Sequence, residues 1–336
     1  MNAFAQLLEI KGDAVCVLQT EQGRLAVCPD MGGRVFAELA GQSLHRLHLD
    51  TVRDPTQAFN NFGGSNFWPA PEGGAFGFNY KDGQWYVQPA INQQPFEVRK
   101  RDSSRVFIEK RVCLANCRGK AVEALMSRET EIAPLAPILK GVRLKAAIAC
   151  QTTDTFSVLK EVSADDALLA SWNLEQFDTT EHTLSFCAVA NPREAINFDF
   201  YQHPGEKISW LEKGFTYRTD GRRKGQIGIR KAAKPSFIGF CNLSRNLLVI
   251  KENRSNLDGL FFNIADNEQS QGPYSAADVY SIFTSDPDMK AFELETIAPL
   301  RVEDGKLKSS ELVSITTHAF FEETADMEAF LKKHLG

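Results

Sequence analysis

The chain is predicted to be an all-β protein built from two large, packed antiparallel sheets. Three observations lead there. Short segments with the two-residue alternation of half-buried strands recur from about residue 14 to 322. No alternating strand–helix rhythm asks for a parallel sheet. No Pro/Ser-rich linker, low-complexity tract or internal repeat interrupts the text, so residues 1–336 read as one domain. Sheets of that size leave one concave face wide enough to hold a ligand.

Taken in order, 2–9 can form a short helix with Phe4, Leu7 and Leu8 on one side. Strands follow at 14–18 and 24–28, split by the turn-like Glu21-Gln22-Gly23. Met31-Gly32-Gly33-Arg34-Val35 turns into another. Further strands are expected at 84–88, 96–101, 105–113, 121–132, 139–149 and 155–162. In the 105–113 segment Val106, Ile108 and Val112 share a face, and Lys110 is the exception on it. The second half continues at 168–177, 183–188, 207–210, 226–229, 237–241, 247–252, 259–264, 280–284, 291–297 and 312–322. The last stretch, 325–335, has clear helical spacing, with Met327, Phe330 and Leu331 on one face and Thr324 placed to cap it.

Bulk composition excludes several classes. Hydrophobic content of 43% and charged content of 24% suit a globular protein. A net charge of −5, with no polybasic run, offers nothing to nucleic acid. No apolar run approaches the ~20 residues that span a bilayer. The N-terminus lacks a signal-peptide pattern, so a cytoplasmic address is expected. Seven cysteines, an odd number in a long chain, argue for reduced, packed thiols. The six histidines lack metal-ligand spacing, and neither a metal nor a cofactor is expected. Oligomeric state is not written in the text.

The most unusual stretch is 60–80, NNFGGSNFWPAPEGGAFGFNY. It combines five glycines, six aromatic residues and a single carboxylate, Glu72. Phe67, Trp68 and Phe76 offer flat apolar faces, and Asn66 offers an amide. Flat faces beside amides suit a sugar ring, with its apolar C–H face and hydroxyl edge. The same composition also suits an aromatic-packed crossover between sheets.

Several segments together resemble a bacterial branch of the galactose mutarotase-like (aldose 1-epimerase-like) superfamily. They are Gly32-Gly33-Arg34, the W-x-x-PEGG-x-F run from Trp68 through Glu72 to Phe76, the W-x-x-x-Q pattern of Trp172 and Gln176, the 220–228 turn with Lys224, the segment from Pro273-Tyr274 to Asp278, which is like the relatives' PY-x-x-D with one residue more, and Phe292-Glu293-Leu294-Glu295. The resemblance implies a β supersandwich that binds a small carbohydrate. In such mutarotases a carboxylate takes the anomeric hydroxyl proton while a histidine protonates the ring oxygen. Glu295 stands where that base is expected. Alternation places Glu293 on the same face, and two carboxylates sharing a face raise one pKa. The histidine is absent from 168–174, and His203, in a loop, is the better substitute ahead of His182.

Alternatives stay open at several positions. Glu72 either contacts ligand or pairs with Arg34. Trp172 is a stacking platform or a core residue. Lys224 belongs to a solvated hairpin tip or to a site for an anionic sugar. Asp278 and Tyr280, two apart, could share a face with the ligand. Three functions remain: a sugar-ring isomerase with Glu295 as base, a non-catalytic carbohydrate binder, and a carboxylate-pair hydrolase or lyase using Glu72 and Glu295.

Overall fold

Two antiparallel sheets account for nearly all the strands in a computed structural model, which describes residues 2–56, 58–201, 203–261 and 277–336. Among these residues one sheet has ten strands and the other eleven. Across the middle of the ten-stranded sheet the order is Arg34–Leu39, Gly64–Ala70, Ala170–Asp178, Ala291–Ile297, Asp278–Thr284, Gly225–Arg230. In the eleven-stranded sheet Lys306–Phe321 lies between Leu247–Asn253 and Leu144–Val158.

The inner faces make the core, where one apolar cluster runs through both sheets and includes Phe67, Phe156, Phe177 and Phe240. Full burial of such side chains stabilises by roughly 1.5–3 kcal/mol each. Two helices cover part of the outer faces. Ala3–Lys11, whose N–H of Ala5 is capped by Asn2 Oδ1, packs Phe4 and Leu7 beside Phe36 on the ten-stranded sheet. Thr324–Leu335 packs Met327 and Phe330 beside Phe321 on the other. Its cap position is Glu323, and the Thr324 hydroxyl goes to Asn246 instead. No helix among the described residues is long and apolar enough to cross a membrane.

The alternating segments formed strands as expected, and Arg105–Ala115 buries every second residue. Lys110 is tolerated there because its ammonium donates to the Ile91 and Gln94 carbonyls and sits over the Phe96 ring. Burial pushes it down to about 7. Other expectations need correction. The separate strands at 139–149 and 155–162 are one strand, Leu144–Val158. The 84–88 strand shrinks to Gln84–Trp85, half of a small hairpin with Tyr80–Lys81. Of 259–264, only an isolated bridge at Leu260 is seen; 262–264 and the Pro273-Tyr274 pair lie outside the described residues.

Candidate functional site

The outer face of the ten-stranded sheet carries a cavity of about 320 Å³, the size of a small-molecule site. The Ala170–Asp178 strand forms its floor. Trp172, Leu174 and Gln176 face the cavity, while Asn173, Glu175 and Phe177 face the other sheet. The flanking Ala291–Ile297 strand adds Glu293 and Glu295 by the same alternation. On the other flank Gly64–Ala70 adds Asn66 and Trp68, and Arg34 stands on the next strand.

Glu72 follows the Gly64–Ala70 strand in a loop folded back on itself. Phe78 and Asn79 donate their backbone N–H groups to the Pro71 and Glu72 carbonyls. A Cβ on Gly77 would lie 2.5 Å from the Glu72 carbonyl oxygen, so only glycine permits that closure. The Glu72 carboxylate accepts from the Trp85 indole N–H at 2.7 Å, rather than from Arg34. Trp85 also faces Trp68 nearly parallel, centroids 6.3 Å apart, with Phe59 edge-on to both.

Arg34 is 2% exposed, and its Nη1 donates to the Gly63 carbonyl at 2.7 Å. Its Nε and Nη2, the edge that matches a bidentate acceptor, have no hydrogen-bond partner among the described residues. Burial pushes this guanidinium down to about 9, against the opposing pull of Glu293, so it stays charged at neutral pH. The Trp68 indole N–H and the Gln176 amide oxygen are likewise buried without a partner.

The two strand carboxylates differ in company. Glu293 accepts from Gln176 at 2.8 Å and feels Arg34 and Lys224; burial still raises it above the usual carboxylate range. Glu295 accepts from the Trp172 indole at 3.1 Å and from the Gln226 amide at 3.2 Å. Burial first, then Glu293, hold it well above the ordinary value despite those donors.

Nine sequence candidates therefore meet at one cavity: Arg34, Asn66, Trp68, Glu72, Trp172 and Gln176, with Lys224, Glu293 and Glu295 on the far side. Lys224 is a cavity residue and not merely a hairpin tip; its ammonium sits over the rings of Tyr201 and Phe283. Four candidates lie elsewhere. His203 is exposed, its ring tilted against Phe198, with Nδ1 accepting from the Gly205 N–H. Phe76 lies beneath the Arg118 guanidinium. On the Asp278–Thr284 strand Phe283 faces the cavity and Ser281 bonds the Gln226 amide that reaches Glu295, so alternation turns Tyr280 inward, its hydroxyl accepting from the Asn253 N–H. Asp278 accepts from Asn197 against Gly228, and burial pushes it up to about 6.

Sequence reasoning missed Gln226, Trp85 and Tyr201 as cavity residues. Alternation within 226–229 could have placed Gln226. No alternation or spacing in the sequence brought Trp85 onto Phe59, Trp68 and Glu72.

Behind the floor, His45, Glu175 and His318 converge with metal-ligand atoms within 4.8 Å of one another. The donor chemistry does not suit a cation. His45 Nδ1 accepts the Ala37 N–H, so its proton is on Nε2 and goes to Glu175 at 2.7 Å. The other Glu175 oxygen accepts from Lys251 and Thr316, both at 2.6 Å. Burial would raise Glu175, but the Lys251 ammonium and the His45 bond hold it well below the usual range.

The architecture is that of the galactose mutarotase-like fold. It superposes on a galactose mutarotase related enzyme from Lactobacillus acidophilus with TM-score 0.52 and 8% identity, covering 92% of this chain and 99% of that one. A galactose mutarotase-like protein from Lactobacillus casei gives 0.51 at 8%, covering 91% and 99%. The Slr1438 protein from Synechocystis gives 0.50 at 14%, covering 91% and 94%. By sequence, the chain belongs to the family of unknown function DUF6786, whose family model matches residues 2–336. No curated protein matches it.

Proposed function

We propose that the cavity binds a neutral sugar ring and interconverts its anomers. The observation that carries this is the convergence on one hollow of the Arg34 edge, the Trp68 N–H and the Gln176 oxygen, all buried and without a partner among the described residues. Leaving such groups unpaired costs about 1–3 kcal/mol each, which a polyhydroxylated ligand would recover. Trp68, Trp85 and Phe59 supply faces for the ring's C–H side. The described lining holds three carboxylates, Glu72, Glu293 and Glu295, against two cations, Arg34 and Lys224, which favours a neutral sugar over an anionic one. Ring opening needs one group to take the anomeric hydroxyl proton and another to protonate the ring oxygen, and carboxyl groups can do both. The fold shared with mutarotase-related structures agrees with this reading. The odd number of cysteines in a long chain supports a reducing, cytoplasmic setting, and residues 1–336 are taken as one domain.

The test is anomer exchange followed by NMR over a panel of neutral aldoses and sugar phosphates. Acceleration for a neutral aldose, with saturable quenching of tryptophan fluorescence, is the expected result. A second reading rests on the absence of any imidazole from the described lining: a carbohydrate binder without catalysis. Saturable binding with no acceleration would select it.

A further inference from the structure

We infer that Glu295 is the proton donor of this site and Glu72 its base, the reverse of the role that position 295 takes by resemblance. The inference rests on the isomerase reading above and specifies how it works without a histidine. Three features of the placement support it.

The first is company. Glu295 is 1% exposed, and its hydrogen-bond donors, Trp172, Gln226 and Ser281, are neutral. Among the described residues no ion pair is formed with it, whereas Glu293, two residues along the same face, is the carboxylate that Arg34 and Lys224 favour. The second is the charge count. The described lining has one carboxylate more than it has cations, and an unmatched buried charge is relieved by taking a proton. The group to take it is the one among dipoles, with Glu293 and Glu72 as its charged neighbours; burial and those neighbours act in that direction. The third is geometry. Glu295 and Glu72 belong to segments on opposite flanks of the Trp172 strand, so they can address one ring from two sides.

The step balances within the ligand and these two groups. Glu72 removes the anomeric hydroxyl proton, and that O–H electron pair forms the C1=O bond. The bond from C1 to the ring oxygen breaks, and the ring oxygen takes the Glu295 proton. After rotation about C1–C2, closure on the other face returns both protons. No oxidant, reductant or cofactor enters.

The proton is observable without any sugar. Difference infrared spectra of the wild type against Glu295→Gln at pH 7 should contain the C=O band of a protonated carboxylic acid, lost in the variant. In Glu293→Gln the band should persist but titrate at lower pH, because a neighbouring carboxylate is gone. The wild-type band titrated alone serves if a variant does not fold. An unchanged band in Glu295→Gln, or no such band in the wild type, overturns the inference. With an active aldose, the rate should fall as pH rises through the same titration, and Glu295→Gln should lose roughly 10²–10⁴-fold. Loss of rate on the acid side, abolished by Glu295→Gln, would make Glu295 the base and also overturn it. A proton on Glu295 with no aldose interconverted sinks the isomerase reading and the donor role, and leaves the protonation itself standing.

Discussion

Glu175 and Glu295 are both almost fully enclosed, at 3% and 1% exposure, yet they end in opposite states. Burial pushes each toward the neutral form. Glu175 has an ammonium at 2.6 Å and a ring N–H at 2.7 Å, and these win. Glu295 has only neutral donors and two carboxylate neighbours, and burial wins. The two therefore link stability to pH with opposite sign. The raised group binds more protons folded than unfolded, so its contribution is present below the ordinary carboxylate pKa and is lost as pH rises toward its folded value. Each unit of that climb costs about 1.4 kcal/mol. Glu295→Gln should match the wild type in urea midpoint near pH 4 and become the more stable protein as pH rises from 5 to 8. Parallel curves across that range would show that Glu295 is ionised throughout. Residue-scale contrasts of this kind depend on partners such as Lys251, 76 positions from Glu175, and Trp172, 123 positions from Glu295, which no local reading supplies.

At the scale of the element, Tyr80–Lys81 and Gln84–Trp85 form a two-stranded sheet of their own among the described residues, and Trp85 is 42% exposed. It is tied down by the Glu72 bond, by stacking on Trp68 and by the edge-on ring of Phe59. Trp85→Ala removes one wall of the cavity and the Glu72 donor while emptying little of the core. Sugar affinity should fall about tenfold, in line with ~0.5–1.5 kcal/mol for an aromatic contact. The melting temperature should move little. Unchanged affinity by titration calorimetry would remove the hairpin from the site. Strands with one wet face, such as Arg105–Ala115, were legible because their burial alternates. Gly64–Ala70 was not, because all seven residues are buried: the core covers one face and the cavity wall the other. Its Pro69 and Gly64 read as loop chemistry. Trp68, Glu72 and Glu295 were legible as chemistry, through their clustering and strand alternation. Tyr280 was misplaced by one step of that alternation, and Asp278 by a contact with Asn197 that only the folded sheet creates.

Across the whole molecule, the cavity is held in shape by polar links between the sheets as well as by apolar packing. Lys251 reaches from the eleven-stranded sheet to Glu175 and Asn173 on the back of the cavity floor. Arg128, wholly buried and paired with Asp154, crosses to the Gly33 and Ser65 carbonyls, the residues immediately before Arg34 and Asn66. The back of the floor is thus fixed by charges, and the front carries the candidate chemistry. A buried pair of this kind adds little net stability against a well-packed apolar pair, but removing one partner strands the other. Lys251→Met alone should destabilise by about 3–5 kcal/mol, because Glu175 is left as a buried anion with its hydroxyl and imidazole partners only. Adding Glu175→Gln should recover most of that loss, since the amide needs no counter-charge. The single variant should also be the more sensitive to rising pH: without the ammonium, Glu175 is pushed upward and its ionisation opposes folding. Urea unfolding of the wild type, both single variants and the double variant at pH 5 and pH 8 completes the cycle. Additive losses with no recovery in the double variant would mean that Lys251 acts through packing of its stem, and the electrostatic link between the sheets would have to be abandoned.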